Sequence, residues 1–185
     1  MTELMGCFSA EIKKPEHYCN AIQHLLDEHR PLEEQLKSIY YTASQIAYDP
    51  TRKDRHDLLH KLYNDMIIFR TNVQKHSYIE EEVFNSLKKY IGYSSGPIVI
   101  MEQEHERVDS NIQQFLEKCH TLSNDNRDDI RDIVHHISNV FHILTDHWLK
   151  EEEILFPLGE QLLSAHEKDE LERFYLDKKS RERLA

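Results

Sequence analysis

Four segments of the chain carry a stripe of core positions spaced alternately three and four residues apart, and these stripes form two matching pairs. The first and third stripes coincide at a displacement of 76 residues, and the second and fourth at a displacement of 71 residues. Steps of three and four keep side chains on one face of an α-helix, as in the seam of a packed bundle. The sequence therefore predicts a duplicated helical hairpin, and two such hairpins form an up-down-up-down four-helix bundle.

Apolar residues fill most positions of the four stripes. The first stripe is Ile22, Leu25, His29, Leu32, Leu36, Ile39, Ala43 and Ile46. The second is Leu59, Leu62, Met66, Phe69, Val73, His76, Glu80, Val83 and Leu87. The third is Ile98, Met101, His105, Val108, Ile112, Phe115, Cys119 and Leu122. The fourth is Ile130, Ile133, Ile137, Val140, Leu144, His147, Glu151, Ile154 and Leu158. The fold class that they predict is all-α.

Helix limits are expected where proline and capping residues interrupt the stripes. The first helix is expected to start near Glu16 and to end at Asp49-Pro50, and Ser95 is a candidate cap for the third helix. Pro157 is expected to kink or end the fourth helix, because proline has no N–H and its ring clashes with the preceding turn.

These limits divide the chain of 185 residues into three segments. Residues 1–15 show no clear period and are predicted to form an N-terminal arm. Residues 16–160 form the four-helix bundle, and residues 161–185 form a charged C-terminal helix. The length fits one domain with a sizeable core.

The composition argues against several classes of function. Asp and Glu number 34 against 23 Lys and Arg, so the net charge is −11, and no stretch is strongly basic. Phosphate binding needs clustered basic side chains, so we expect no nucleic-acid partner. No apolar run has the length needed to cross a bilayer, so we expect no membrane partner and a cytoplasmic location. The three cysteines are odd in number and far apart, which argues against a disulfide framework.

Six polar side chains occupy core positions of the stripes: His29, His76, Glu80, His105, His147 and Glu151. Each has a counterpart in the duplication, and each has apolar neighbours along its stripe. A His followed by an acid four residues later is common in this chain and carries little weight alone. The register of these six residues within the core is what makes them candidates for function.

Burying four imidazoles and two carboxylates in one layer of a bundle is unfavourable unless they are paired. One interpretation is a set of His–Glu hydrogen bonds that fixes the helix register. We favour a site for two metal ions, because a satisfied ionic network of this size is hard to build without a metal. Imidazole and carboxylate donors suit iron, manganese or zinc, and bridging carboxylates recur in di-iron bundles.

The donor pattern resembles the hemerythrin-like (HHE cation-binding) family over residues 16–160. The supporting motifs are Asp27-Glu28-His29-Arg30-Pro31-Leu32, the His-x-x-x-Glu-Glu-Glu stretches from His76 and His147, Gln103-Glu104-His105-Glu106-Arg107-Val108, and Leu155-Phe156-Pro157. Oxygen-carrying hemerythrins have a further His where this chain has Met101, and an Asp where it has Glu152. The set of four His and two Glu is more similar to the di-iron proteins proposed to repair iron–sulfur clusters, the RIC group.

The resemblance implies two non-heme iron ions, with manganese or zinc fitting the same donors. One iron would take His29 and His76, and the other would take His105 and His147. Glu80 and Glu151 would bridge the ions together with an oxo or hydroxo group. An open position on each ion would admit O₂, NO or peroxide, and no protein partner is indicated.

Three functions follow from these features as hypotheses. The first is a di-iron protein that handles O₂, NO, peroxide or iron in nitrosative or oxidative stress, or in iron–sulfur cluster repair. The second is a non-enzymatic O₂ or iron binder, or an O₂ sensor, on the same site. The third is a metal-free helical interaction module. Glu28, Glu104 and Glu152 are interpreted as solvent-facing charge. The alternative is a supporting role beside the ligands for Glu28 and Glu104, and a bridging role for Glu152.

Overall fold

A computed structural model of the chain describes residues 12–92, 96–121 and 127–182, and every regular element among them is helical. The elements in chain order are α1 (Asn20–Tyr48), α2 (Arg55–Ile91), α3 (Pro97–Thr121), α4 (Arg127–Lys150), a π-helical turn (Glu151–Leu155), α5 (Phe156–Leu162) and α6 (Ala165–Glu182). The predicted all-α helical bundle is confirmed. Within the described ranges, no helix is long and apolar enough to cross a membrane.

The predicted start of the first helix is wrong by four residues. It was expected near Glu16, but α1 begins at Asn20. The Cys19 carbonyl accepts the first helical hydrogen bond, from the N–H of Gln23. The Cys19 N–H donates to the carboxylate of Glu160 at 2.6 Å. A side chain distant in sequence therefore satisfies the start of α1, and no local pattern reveals it.

Three predictions fall on parts of the chain that are not described. Ser95, the candidate cap of α3, lies outside the described residues, as does Leu122 at the end of the third stripe. Residues 1–11 of the predicted arm also lie outside them. The end of α2 is described: the N–H of Gly92 donates to the Lys88 carbonyl at 2.8 Å. Its φ of 96° is one that glycine adopts without strain.

A π-helical turn precedes Pro157 and corrects the fourth stripe. The N–H of Phe156 donates to the carbonyl of Glu151, five residues earlier. This wider turn places one extra residue in the helix just before the proline. As a result Leu155 is buried, whereas Ile154, which the stripe places in the core, is only half-buried.

The chain forms two compact units. Of the described residues, 12–29, 75–92, 96–102 and 148–182 form the first unit, and 30–74, 103–121 and 127–147 form the second. In both units α1 contacts α2: His29 lies beside His76 in the first, and Gln35 accepts a hydrogen bond from Asn72 in the second.

A continuous apolar core fills the first unit. Its buried members come from α1, α2, α3, the π-helical turn, α5, α6 and the link between the last two: Ala21, Ile22, Leu25, Ile79, Val83, Phe84, Leu87, Ile98, Met101, Leu155, Phe156, Leu163 and Leu171. Gly159 allows close packing here, because a Cβ at this position would lie only 3.2 Å from Cδ1 of Ile22. The core therefore depends on α5 approaching α1 closely.

Helix α6 starts with a capping box and is tied to the first unit by polar contacts. The Glu167 carboxylate accepts hydrogen bonds from the Ser164 N–H at 2.8 Å and from the Tyr90 hydroxyl at 2.7 Å. In return the Ser164 hydroxyl accepts from the Glu167 N–H at 3.4 Å. Lys89 of α2 forms an ion pair with the same carboxylate.

The second unit contains residues 30–48 of α1, 55–74 of α2, 103–121 of α3 and 127–147 of α4. Its fully buried side chains include Leu62, Phe69 and Phe115. The guanidinium of Arg70 on α2 donates two hydrogen bonds to Asp109 on α3, both at 2.9 Å. This paired contact fixes the register of α2 against α3 within the unit.

Candidate metal centre

Four of the predicted site residues converge in the first unit. His29 comes from α1, His76 and Glu80 come from α2, and Glu151 comes from the π-helical turn. One donor atom from each residue lies within 4.8 Å of the donor atoms of the other three. All four residues are buried, with at most 2% of their surface exposed. Core register thus brings together residues that are far apart in sequence.

The inner nitrogens of the two histidines face the two carboxylates. Nε2 of His29 lies 3.2 Å from an oxygen of Glu151 and 3.9 Å from Oε1 of Glu80. Nε2 of His76 lies 2.6 Å from the same oxygen of Glu80. Among the described residues, neither buried Nε2 atom makes a well-directed hydrogen bond. Two such nitrogens and two carboxylates around one small space fit a metal ion.

The outer nitrogen of each histidine is held by a further carboxylate. Nδ1 of His29 donates to Glu152 at 2.8 Å, and Nδ1 of His76 donates to Glu28 at 2.9 Å. An acceptor on Nδ1 orients the ring and keeps the Nε2 lone pair available once the imidazole is neutral. Metal-binding histidines almost always have such a partner on the second nitrogen.

Without a bound metal ion, the pKa values of His29 and His76 lie above the usual histidine value of 6.5. Burial lowers the pKa of His29, but the carboxylates of Glu151 and Glu80 outweigh it and raise the pKa to about 10. Burial likewise lowers the pKa of His76, and Glu80 and Glu28 raise it to about 9. A metal ion must displace these protons, because it binds the neutral imidazole.

Two aromatic side chains pack close to the His29 ring. The ring centroids of Trp148 and Phe156 lie 5.8 Å and 5.7 Å from that of His29. Both aromatic residues are buried, at 2% and 0% exposure. Buried aromatic neighbours keep the surroundings of His29 apolar, which strengthens electrostatic interactions between the ligands and an ion.

The other two predicted histidines lie together in the second unit. Nε2 of His105 on α3 and Nε2 of His147 on α4 are 3.0 Å apart. Nδ1 of His147 donates to Glu104 at 3.1 Å. His147 is buried, whereas His105 is half-buried. The duplication relates the Glu104–His147 contact to the one between Glu28 and His76, because each member has its counterpart at the displacement of its stripe.

The interpretation of Glu28, Glu104 and Glu152 as solvent-facing charge is wrong. All three contact Nδ1 of a predicted ligand, and their side chains are 25%, 12% and 36% exposed. The sequence did contain a signal for the first two, since Glu28 and Glu104 are equivalent positions of the duplicated hairpin. Glu152 had no such signal, because its direction depends on the π-helical turn.

The helical bundle and its buried His/Glu cluster define the chain as a metal-binding protein. The donors are imidazole nitrogens and carboxylate oxygens, which both bind transition metals. The outer carboxylates orient the imidazole rings, as they do for metal-binding histidines. Residues 20–159 match the family described as the hemerythrin HHE cation binding domain, and the chain belongs to this family. No curated protein compared with the chain gives a significant match.

Proposed function

We propose that the chain is a non-heme di-iron protein that acts in the cytoplasm on O₂, NO, peroxide or iron. Within this proposal it serves in the response to nitrosative or oxidative stress, or in the repair of iron–sulfur clusters as in the RIC group. In this proposal His29 and His76 would hold one ion, and His105 and His147 would hold the other. Glu80 and Glu151 would be carboxylate ligands shared by both ions.

The observation that carries the proposal is the repeated pairing of a histidine Nδ1 with a carboxylate. It occurs at His29, His76 and His147, which are three of the four proposed histidine ligands. A hydrogen-bond network that only fixed the helix register would also satisfy Nε2, whereas Nε2 of His29 and His76 makes no well-directed hydrogen bond among the described residues. The pattern supports metal ligation at these rings over a purely structural role.

In this proposal the protein binds the metal ions, orients their ligands and shields the site from water. Glu80 and Glu151 bring negative charge into a buried space, which favours an ion of high positive charge. Trp148 and Phe156 keep the surroundings of His29 apolar. The bound iron would supply electron transfer and open positions for small ligands.

The proposed role is tested by preparing the reduced, iron-loaded protein anaerobically and then mixing it with NO or with O₂. Turnover of the added molecule, or transfer of iron to an apo iron–sulfur acceptor, supports the reductase or repair role. A stable and reversible adduct without turnover would contradict that role and support the second hypothesis, an O₂ or iron binder or sensor. Metal-depleted protein is the matched control and should do neither.

The metal-free alternative is tested separately. A helical interaction module would contain no stoichiometric iron, manganese or zinc after purification. Its melting temperature would also be unchanged by ferrous ion, because an ion that does not bind the folded state cannot stabilise it. Both results together would overturn the proposed function.

A further inference from the structure

Helix α6 contacts a carboxylate that holds one of the proposed metal ligands. Nζ of Lys179 on α6 lies 2.7 Å from Oε1 of Glu28. The other oxygen of that carboxylate, Oε2, accepts the hydrogen bond from Nδ1 of His76 at 2.9 Å. Glu28 therefore links a lysine of α6 to a histidine of α2. The lysine lies beyond residues 20–159, the part of the chain that matches the family.

The position of Lys179 is set by packing of α6 against α1. Tyr175, one turn earlier on α6, stacks on His24 of α1 with ring centroids 4.3 Å apart and an interplanar angle of 9°. The ammonium of Lys179 lies 5.5 Å from the centroid of the Tyr175 ring. Leu171, one turn before Tyr175, is buried in the core at 5% exposure. The lysine is thus presented to Glu28 by a docked helix.

Glu28 needs such a contact to remain directed at His76. Its side chain is 25% exposed, so water competes for the carboxylate. With Lys179 on one oxygen, the carboxylate plane is fixed and the other oxygen stays on Nδ1 of His76. Without the ammonium, the carboxylate gains solvated rotamers in which that hydrogen bond is lost.

We propose that Lys179 is a positioning residue of the metal centre, which holds Glu28 against His76 and so makes metal binding depend on the docking of α6. The proposal rests on the proposed function, because it requires His76 to be a metal ligand. It goes further in giving the C-terminal helix a role in tuning the site.

A double-mutant cycle on ferrous-ion affinity tests the coupling. Affinity is measured anaerobically by competition with a chromophoric chelator for the full chain and for the K179M, E28Q and K179M/E28Q variants. We expect E28Q to weaken binding about 10- to 100-fold, as for other partners of metal-binding histidines. K179M, one contact further away, should weaken it roughly three- to tenfold, and by less than about twofold in the E28Q background.

Two further variants separate positioning from general packing. K179R keeps a charged donor and should restore affinity to within about twofold of the wild type. K178M is the matched control, because the Lys178 ammonium lies over the Tyr78 ring, 4.3 Å from its centroid, and not against Glu28. It should also bind ferrous ion within about twofold of wild type. An equal loss in K179M and K178M would overturn the proposal.

The ring ¹⁵N resonances of His76 in metal-free protein give a readout that does not require metal. K179M should shift them toward values of a ring that has lost its Nδ1 hydrogen bond, and K179R should not. Unchanged resonances and unchanged affinity in K179M, with wild type binding iron, would overturn the positioning role alone. Failure of wild type to bind any metal would instead overturn the proposed function, and the positioning role with it.

Discussion

Nδ1 of His29 donates a hydrogen bond to Glu152 at 2.8 Å, although Glu152 comes from the π-helical turn more than a hundred residues later in the chain. The preceding residue, Glu151, lies 3.2 Å from the other nitrogen of the same ring. Two adjacent glutamates therefore contact opposite sides of one histidine. Glu151 is proposed to bind metal, and Glu152 is proposed to orient the ring.

Substitution E152Q should weaken ferrous-ion binding about 10- to 100-fold, since the amide is a poorer acceptor for the Nδ1–H of His29. Chelator competition measures the change. E153Q is the matched control, because Glu153 pairs with Lys14 at the surface. Equal affinities of the E152Q and E153Q variants would contradict the role given to Glu152.

Substitution of either core carboxylate should remove metal. Glu80→Ala or Glu151→Ala is expected to lose at least one of two ions per chain, because each carboxylate is proposed to be shared by both ions. Elemental analysis of the purified variants gives the count. Glu33→Ala, at a surface glutamate paired with Lys37, is the control. Retention of two ions in the Glu80 and Glu151 variants would show that these are not the bridging residues.

The metal-free protein should lose stability as the pH rises above neutrality. The pKa values of His29 and His76 are raised from 6.5 to about 10 and about 9. Protonation of these rings therefore stabilises the folded state fully below pH 6.5, and the contribution is lost as the pH rises through these values. Urea midpoints from pH 6.5 to 10 should fall more in wild type than in a His29→Gln/His76→Gln variant. Parallel pH profiles for the two proteins would contradict this assignment.

The cap of α6 should contribute to stability in a pH-dependent manner. Ser164→Ala removes the hydroxyl that accepts from the Glu167 N–H and should cost about 1 kcal/mol of unfolding free energy. The pKa of Glu167 lies well below its usual 4.5, chiefly through Lys89 and Ser164. Its contribution is therefore present above pH 4.5 and lost as the pH falls below it.

Chemical denaturation of wild type, Ser164→Ala and Glu167→Gln at pH 7 and pH 3 measures both effects. Ser180→Ala serves as the control, because its hydroxyl donates to the carbonyl of Leu176 near the other end of α6. A Glu167→Gln variant as destabilised at pH 3 as at pH 7 would contradict the role of the ionised carboxylate.

The helices and the burial of the His/Glu ligands can be predicted from the sequence, because both depend on a repeating register. His29, His76, Glu80, His147 and Glu151 are buried where the stripes place them. Local spacing suffices for this, since a core-facing helix position stays core-facing in any bundle of this type.

The features that the sequence misses arise from contacts between distant segments or from a local change in helix type. Glu160 sets the start of α1 at Asn20 through the N–H of Cys19. The π-helical turn moves Leu155 into the core and directs Glu152 to His29. Neither effect has a periodic signature. The contact between Lys179 and Glu28 likewise depends on where α6 docks.

A metal count on the full chain tests the central claim most directly. The protein is loaded anaerobically with ferrous ion, freed of excess metal and then oxidised. Two ions per chain are expected, one for each pair of histidines, together with the optical bands of an oxo-bridged ferric pair. Protein that retains no iron, and that gives the same result with manganese and zinc, would contradict the account.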